Sequence, residues 1–178
     1  MADSAGSGHT GPMDEPFADA IPFAGHRETV RPEWVDYNGH MNVAYYVLAF
    51  DHATDALLDR LGLGADYRRG RDCSMFVVEA HVTYDREAMA GEGLRFETQI
   101  LGHDDKRLHF FHRMIRDVDG ALAATNELLA LHVDMKDRRA APFPADVRGR
   151  VAAQAAAHAR IPWPAQAGRI IALRRRKA

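Results

Sequence analysis

The strongest constraint on the fold is one long amphipathic segment, VAYYVLAFDHATDALLDRL, which covers residues 43–61. Its apolar residues recur at three- and four-residue steps, while aspartates occupy another face. Gly62 and Gly64 end the run, as glycines commonly do at the C-terminus of a helix. The pattern predicts a helix about 28 Å long, at 1.5 Å per residue. One side of this helix is apolar enough for it to be the central helix of the core.

Four segments after this helix show the alternation and the β-forming residues of strands. The breaks between them, AMAGEG, GHDDK and DVDG, are rich in turn residues. Strands joined by such short turns predict an antiparallel meander. Together with the helix they predict an α+β protein in which a curved sheet packs on one helix. The predicted strands are residues 73–84, 94–101, 107–116 and 121–135.

Composition divides the chain into three parts. Residues 1–25 are rich in Gly, Ser, Pro, Ala and Asp, and are predicted to form a disordered tail. Residues 26–140 form the predicted domain, which opens on a short strand interrupted or ended near Pro32. Residues 141–178 contain a predicted Ala-rich helix over 145–159 and a basic tip, RRRK, that is expected to be solvated.

Charge and cysteine content argue against several classes of function. The net charge of −2 gives no general attraction to nucleic acid or to a membrane. One cysteine, Cys73, excludes an intrachain disulfide and a cysteine metal cluster, and fits a reducing compartment. No apolar run approaches the roughly 18 residues that span a bilayer, and the first residues do not resemble a signal peptide. We therefore expect a cytoplasmic protein.

The residues just before the predicted helix, VDYNGHMN, are denser in polar groups than helix capping requires. The side chains of Asp36 and Asn38 are suited to capping, and Gly39 permits an unusual backbone dihedral angle, so a purely structural role remains open. The combination suggests chemistry as well. A carboxylate lies three residues before a glycine at the start of a helix, whose N-terminus offers N–H donors and a partial positive charge. A base or nucleophile would then lie beside an oxyanion hole.

The motif DYNGHMN, residues 36–42, resembles the Asp-x-x-Gly-His-Val-Asn signature of hotdog-fold acyl-CoA thioesterases of the 4-hydroxybenzoyl-CoA thioesterase type. Tyr45 or Tyr46 stands where that signature has its following tyrosine. The stretch VTYDREAMAGEGLRFETQILG resembles the second-to-third strand region of the same family. The resemblance covers roughly residues 26–140. It implies a long central helix wrapped by a curved antiparallel sheet, an acyl-CoA substrate, and a homodimer or homotetramer with active sites between subunits.

The same resemblance implies roles for individual residues. Asp36 would attack the thioester carbonyl or activate the water that does, and the backbone N–H of Gly39 or His40 would polarise the thioester oxygen. Asn42 would hold the loop. Many members of the family have a second aspartate where Trp34 stands here, which makes the surroundings of Asp36 less acidic and predicts a raised carboxylate pKa. Coenzyme A would be part of the substrate, so no separate cofactor is expected.

Aromatic residues near the motif extend the candidate site. Trp34, Tyr37 and Tyr45 either belong to the hydrophobic core or line an acyl pocket. In a pocket with a nearby glutamate they would hold a quaternary ammonium group by cation–π attraction. The stretches PEWVDYNGHM, KRLHFFH and ELLALHVD look similar to betainyl-CoA thioesterases. A generic short-chain or aromatic acyl group is the alternative substrate.

Other polar residues are weaker candidates for the site. Glu79 and His81 lie two residues apart on a predicted strand and share one face, opposite the apolar Val78, Ala80 and Val82. They either contact substrate or form a solvated or interface ion pair. The histidines lack metal-motif spacing such as His-Glu-x-x-His, so no metal is predicted. Cations in predicted loops are candidates for binding the phosphates of coenzyme A: Arg68, Arg69, Arg71, Lys106 and Arg107.

Two other functions remain open. A hotdog hydratase acting on enoyl thioesters would need an aspartate and a histidine above the acyl chain, and His40 fits that role. A non-enzymatic acyl-CoA-binding protein would use the same fold without turnover. Only hydrolysis releases a free thiol, so a thiol-reactive dye and a panel of acyl-CoAs distinguish the three.

Overall fold

The computed structural model describes residues 21–173. It confirms the predicted long helix and the four predicted strands, most of them to within two residues. The basic tip and all but the last five residues of the predicted N-terminal tail lie outside the described part of the chain. Helix α1 is Val43–Arg60, and the four strands are β2, Cys73–Tyr84, β3, Gly93–His103, β4, Arg107–Arg116, and β5, Leu122–Asp134.

The first strand has different bounds from those predicted. Strand β1 is Phe23–Thr29, so it begins inside the predicted tail and ends before the proline. Pro32 instead opens a short 3-10 helix, Pro32–Trp34, which is favourable because a proline has no N–H to satisfy in the first turn. The sequence also did not predict strand β6, Arg139–Ala140.

The basic segment of Arg68, Arg69 and Arg71, YRRGRD, was predicted to be a loop, and that prediction is wrong. Residues Ala65–Arg71 form helix α2. The Tyr67 ring is buried, and the Tyr67 hydroxyl lies 2.8 Å from Nε2 of His132. This packing outweighs the low helix propensity of Gly70. The helix ends at Asp72, whose backbone is left-handed with φ 51°.

The five long strands form one antiparallel sheet in the order β1-β3-β4-β5-β2, and β6 pairs with β5. Helix α1 lies against one face of this sheet. Phe50 of α1 is fully buried and makes an edge-to-face contact with Phe96 of β3, with ring centroids 5.8 Å apart. Leu57, about two turns further along α1, belongs to the same buried cluster as Phe110 of β4. The predicted α+β class, with a central helix and a curved antiparallel sheet, is confirmed.

The predicted C-terminal helix is α3, Ala145–His158. Its last residue, His158, is fully buried, and its Nδ1 accepts the Ile100 N–H of β3 at 2.8 Å. This bond fixes α3 to the sheet. Beyond α3 the chain crosses the sheet face opposite α1, where the Gly168 N–H donates to the Glu127 carboxylate. None of the helices in residues 21–173 is both long and apolar enough to cross a membrane.

A fully buried histidine, His112, joins α1 to the sheet. The Thr54 hydroxyl donates to the Phe50 carbonyl at 3.0 Å, so its oxygen is available to the N–H at Nε2 of His112, also 3.0 Å away. Nδ1 of His112 then accepts from the Thr98 hydroxyl at 2.7 Å. Both ring nitrogens are satisfied in one neutral tautomer. Burial lowers the pKa of His112 to about 3.

We expect acid to destabilise the fold through His112. Its folded pKa lies below the unfolded value of about 6.5, so the unfolded chain takes up a proton first as the pH falls. The stability present above pH 6.5 is then lost toward pH 3, by up to about 1.4 kcal/mol per pH unit. Urea unfolding at pH 7, 6 and 5 measures this slope. His112→Gln should show a shallower slope than the parent protein, and equal slopes would contradict the assignment.

Candidate active site

The loop between the 3-10 helix and α1 is closed by its own backbone. The Asp36 N–H donates to the His40 carbonyl at 3.1 Å, and the Gly39 N–H donates to the Asp36 carbonyl at 3.0 Å. Gly39 has φ +84°, in the left-handed region that glycine adopts without strain. The loop therefore holds the Asp36 side chain close to the start of α1.

The Asp36 carboxylate is oriented by two donors. Oδ1 accepts the Asn38 N–H at 2.8 Å, and Oδ2 accepts the Asn42 side-chain amide at 3.1 Å. Asn42 is also the N-cap of α1, since its Oδ1 accepts the Ala44 N–H at 3.0 Å. One amide thus joins the carboxylate to the helix.

These contacts lower the pKa of Asp36 from its ordinary value. The largest cause is the hydrogen bond from the Asn38 backbone, which outweighs the effect of desolvation; the Asn42 amide and the charge of His40 act in the same direction. The predicted rise in the pKa is therefore wrong. Its supposed cause, the Trp34 ring, is only 3% exposed and stacks on Tyr45 with centroids 5.4 Å apart.

The hydrogen bonds of the loop reduce the candidate donors of the oxyanion hole from two N–H groups to one. The resemblance left the choice between the N–H groups of Gly39 and His40. The Gly39 N–H is already donated within the loop. Within residues 21–173, the His40 N–H has no hydrogen-bond acceptor. His40 therefore offers the donor that a developing negative charge on a thioester oxygen requires.

A groove of about 330 Å³ runs from the Asp36 loop to the turn that follows β2. Two tyrosines from different elements form its aromatic part. Tyr84, at the end of β2, is 48% exposed, and its ring meets that of Tyr46 edge to face at 5.3 Å. The Tyr46 hydroxyl accepts the Ala88 N–H at 3.0 Å, which fixes the ring. The groove thus has an aromatic wall beside the carboxylate of Asp36.

Charged residues of the same turn complete the groove. Asp85, Arg86 and Glu87 line it, opposite Asp36 and His40. Across the groove, Nε2 of His40 lies 3.7 Å from Oε1 of Glu87. Two carboxylates and one guanidinium therefore lie within one groove with the candidate catalytic loop.

The structure does not place the three predicted aromatic residues in this groove. Trp34 is buried in the core, and Tyr45 packs against that core. Tyr37 is 97% exposed and lies outside the groove lining. Tyr46 and Tyr84 occupy the position beside Asp36 that was predicted for these residues. The sequence did contain a signal for Tyr84, because this residue ends a predicted strand immediately before a charged turn.

Glu79 and His81 lie on the other face of the sheet from α1. Their ladder partners are Leu129 and Glu127, and paired residues project to the same side. They line a different groove of about 410 Å³, so they do not join Asp36 within one chain. Val78 was predicted to face the helix. It is instead the extra residue at a register shift in β2, and it is 54% exposed.

Most of the cations proposed for phosphate binding form ion pairs. Arg68 pairs with Asp72 at 2.6 Å. Arg71 makes two contacts with Asp146 at 3.0 and 2.9 Å. Arg69 and Arg107 also form ion pairs with nearby aspartates. Arg86 lies in the same groove as Asp36 and was not singled out by the sequence.

A central helix in a curved antiparallel sheet, with a carboxylate held at the start of that helix, defines a thioester hydrolase of the hotdog class. The chain belongs to the thioesterase-like superfamily, whose family model matches residues 30–151. The predicted fold and enzyme class are both confirmed.

Two curated relatives carry more specific names. A betainyl-CoA thioesterase from Pseudomonas aeruginosa is 43% identical over 144 residues, which cover 81% of this chain and 91% of the relative. An L-carnitine dehydrogenase/betainyl-CoA thioesterase from Agrobacterium fabrum is 44% identical over 69% of this chain, but that match spans only 25% of the longer protein. The chain therefore resembles both a separate enzyme and one part of a bifunctional enzyme.

Two solved structures support the same classification. A Staphylococcus aureus protein in complex with CoA superposes with a TM-score of 0.79 and is 31% identical, covering 86% of this chain and 97% of its own. A putative thioesterase from Pseudomonas putida KT2440 gives a TM-score of 0.74 at 40% identity, covering 85% of this chain and 97% of its own.

Proposed function

We propose that the chain hydrolyses an acyl-CoA whose acyl group carries a quaternary ammonium, betainyl-CoA being the best candidate. The observation that carries this proposal is the groove itself. Tyr46 and Tyr84 form an aromatic wall, and Asp85 and Glu87 add negative charge, within the same groove as Asp36. The names of the curated relatives support the same acyl group.

Hydrolysis requires water, a base or nucleophile, and stabilisation of the carbonyl oxygen. Asp36 is ionised at neutral pH because its pKa is lowered. It either takes a proton from the attacking water or attacks the carbonyl carbon itself, after which water cleaves the anhydride. In both cases the carbonyl oxygen becomes negative, and the His40 N–H stabilises it. When Asp36 acts as the base, the C–S bond then breaks and Asp36 passes the proton taken from water to the departing thiolate. When Asp36 attacks directly, the C–S bond breaks as the anhydride forms, and the water that later cleaves the anhydride supplies the proton for the thiolate. The products of both routes are a carboxylic acid and coenzyme A.

Our choice of acyl group rests on how a protein can bind a quaternary ammonium group. A trimethylammonium group has no N–H to donate, so a protein binds it through aromatic faces and nearby negative charge. An aromatic face contributes about 0.5–2 kcal/mol, which corresponds to a factor of roughly 2 to 30 in binding. Tyr84 is the exposed ring of the pair and is therefore the contact we assign to the ammonium.

A pair of substrates of equal shape tests this assignment. In 3,3-dimethylbutanoyl-CoA a carbon replaces the nitrogen of betainyl-CoA, so only the charge differs. We expect kcat/KM to be higher for betainyl-CoA, and Tyr84→Leu to reduce that preference by roughly 2- to 30-fold while hydrolysis of the neutral substrate changes less. Thiol release measured with a dye gives both values.

The control is Val118→Leu, a change at an exposed apolar residue outside the groove, which should leave the preference intact. Equal rates for the two substrates in the parent protein would contradict the ammonium assignment. Absence of thiol release from every acyl-CoA tested, with the protein folded, would instead favour a hydratase or a binding protein.

We also propose that the enzyme is a homodimer, or a homotetramer built from such dimers, formed through β2. Two strands lie at the edges of the described sheet. Strand β1 exposes charged residues such as Arg27, which protect an edge from pairing. Strand β2 is longer and exposes Phe76, Val77 and Val78. Pairing of β2 with a second copy would cover these residues and place the copy next to the groove that Tyr84 lines.

The single cysteine bears on the cellular compartment of the enzyme. The lone cysteine, Cys73, is unpaired and part-buried, which supports a reducing compartment. We therefore propose a cytoplasmic location.

A further inference from the structure

Three side chains with metal-binding atoms meet between β1 and α1, outside the groove of Asp36. His26 and Glu28 alternate along β1, and their ladder partners, Phe96 and Leu94, are buried in the core. Both side chains therefore face α1, where His52 meets them. The sequence predicted no metal because its histidines lack a local motif, but these ligands come from two elements that are well separated along the chain.

The distances among the three groups match those of metal ligands. Oε2 of Glu28 lies 3.2 Å from Nε2 of His26 and 3.0 Å from Nδ1 of His52. All three atoms lie within 4.8 Å of one another. Donors about 2.1 Å from a tetrahedral zinc ion are roughly 3.4 Å apart. Two separations are therefore near the required value, and rotation of the part-exposed His52 ring adjusts the third.

The surroundings leave one carboxylate oxygen to the histidines. The Glu28 side chain is only 9% exposed, and the Arg31 guanidinium approaches its other oxygen, Oε1, at 3.7 Å. Arg31 thus fixes the carboxylate without occupying Oε2. The His26 ring packs on Phe96 with centroids 5.0 Å apart. The nearly buried Oε2 of Glu28 and the two imidazole nitrogens that face it therefore form one set of donor atoms that a single metal ion can bind.

We propose that His26, Glu28 and His52 bind one Zn²⁺ ion per chain, with a water molecule in the fourth position. Two imidazoles and one carboxylate suit zinc, whereas Mg²⁺ and Ca²⁺ prefer oxygen ligands only. Bound zinc joins the edge strand β1 to α1. Because β1 is followed by the 3-10 helix that leads into the loop of Asp36, the ion also stabilises the segment before that loop. The proposal does not depend on the acyl group that the enzyme hydrolyses.

Zinc titration of untagged full-length protein, first stripped with EDTA, tests the site. A chromophoric chelator that competes for Zn²⁺ gives the stoichiometry and the affinity. The parent protein should bind one equivalent, and His26→Ala and His52→Ala should each weaken binding by at least about 100-fold, since loss of a supporting contact alone costs 10- to 100-fold. Co²⁺ in place of zinc should give visible absorption bands typical of a tetrahedral site.

The matched control is His109→Ala. His109 contacts Glu127 at 2.8 Å on the opposite face of the sheet, and among the described residues this pair belongs to no group of three metal-binding side chains. It should keep the parent affinity. Glu28→Gln, which preserves the shape of the side chain, should lose binding even if an alanine variant folds poorly.

Three results would overturn the proposal. One is the absence of saturable binding by the parent protein. Another is unchanged affinity in His52→Ala and Glu28→Gln, and the third is loss of binding in His109→Ala. Melting temperatures provide a second measurement, because Zn²⁺ should raise that of the parent and of the control but not that of the three ligand variants.

Discussion

Asp36→Asn is expected to reduce kcat/KM for the best acyl-CoA substrate by about 100- to 10,000-fold, the usual contribution of a positioned base. The amide keeps the size of the carboxylate, but it neither takes a proton from water nor attacks a carbonyl. The fold should survive, because Asn38 and Ala44 retain their backbone positions and Asn42 still caps α1. Thiol release gives the rate, and circular dichroism confirms folding.

Glu33→Gln provides the control for Asp36→Asn. Glu33 is an exposed carboxylate in the neighbouring 3-10 helix, so its loss changes the local charge equally without touching the groove. Full activity in Asp36→Asn would remove Asp36 from the mechanism. The pH profile adds a second check: the lowered pKa of Asp36 places the acid limb of kcat/KM below about pH 4, the ordinary value for an aspartate. A limb near pH 6 would assign it to another group.

Val78→Lys is expected to separate the subunits and to abolish most of the activity. Val78 is exposed in the single chain, so lysine costs the isolated subunit little. In a dimer formed through β2, the same substitution places charge inside an apolar interface. Each active site would lose the neighbouring subunit, and we expect kcat/KM to fall more than 10-fold. Light scattering should then show the 19.8 kDa chain instead of its dimer or tetramer.

Val118→Lys is the matched control for this experiment. Val118 is also an exposed valine and lies in the turn between β4 and β5, away from the β2 edge. It should keep the parent mass and activity. A fully active monomer in Val78→Lys would show that one chain holds the complete site, and an unchanged assembly would show that β2 is not the interface.

The regular elements were predictable because their signals are local. Helix α1 and strands β2 to β5 follow the period of their apolar residues, which depends only on neighbours along the chain. Helix α2 was missed because Gly70 and a cluster of arginines are typical of a loop. Burial of Tyr67 against His132 decides otherwise, and a contact between such distant residues leaves no local pattern.

The candidate site was predictable only where capping chemistry and catalysis coincide. The loop of Asp36 has a dense polar motif, and the sequence identified it. The other side of the groove, where we propose that the acyl group binds, comes from Tyr84 and the turn after β2, which meets the loop only through the tertiary fold. For the same reason the sequence proposed Trp34 and Tyr45, which are neighbours of Asp36 along the chain but point into the core.

The two ends of the Asn42 amide have a consequence for how such an enzyme diversifies. Its oxygen caps α1 and its nitrogen holds the Asp36 carboxylate, so the proposed catalytic group and the central helix are bound to one side chain. A substitution of Asn42 therefore disturbs both the Asp36 carboxylate and the start of α1. Within residues 21–173, the side-chain hydrogen bonds of Asn42 go to Asp36 and Ala44 and not to the turn of Asp85 and Glu87. New acyl specificities can therefore arise by mutation of the turn while the loop of Asp36 stays constant.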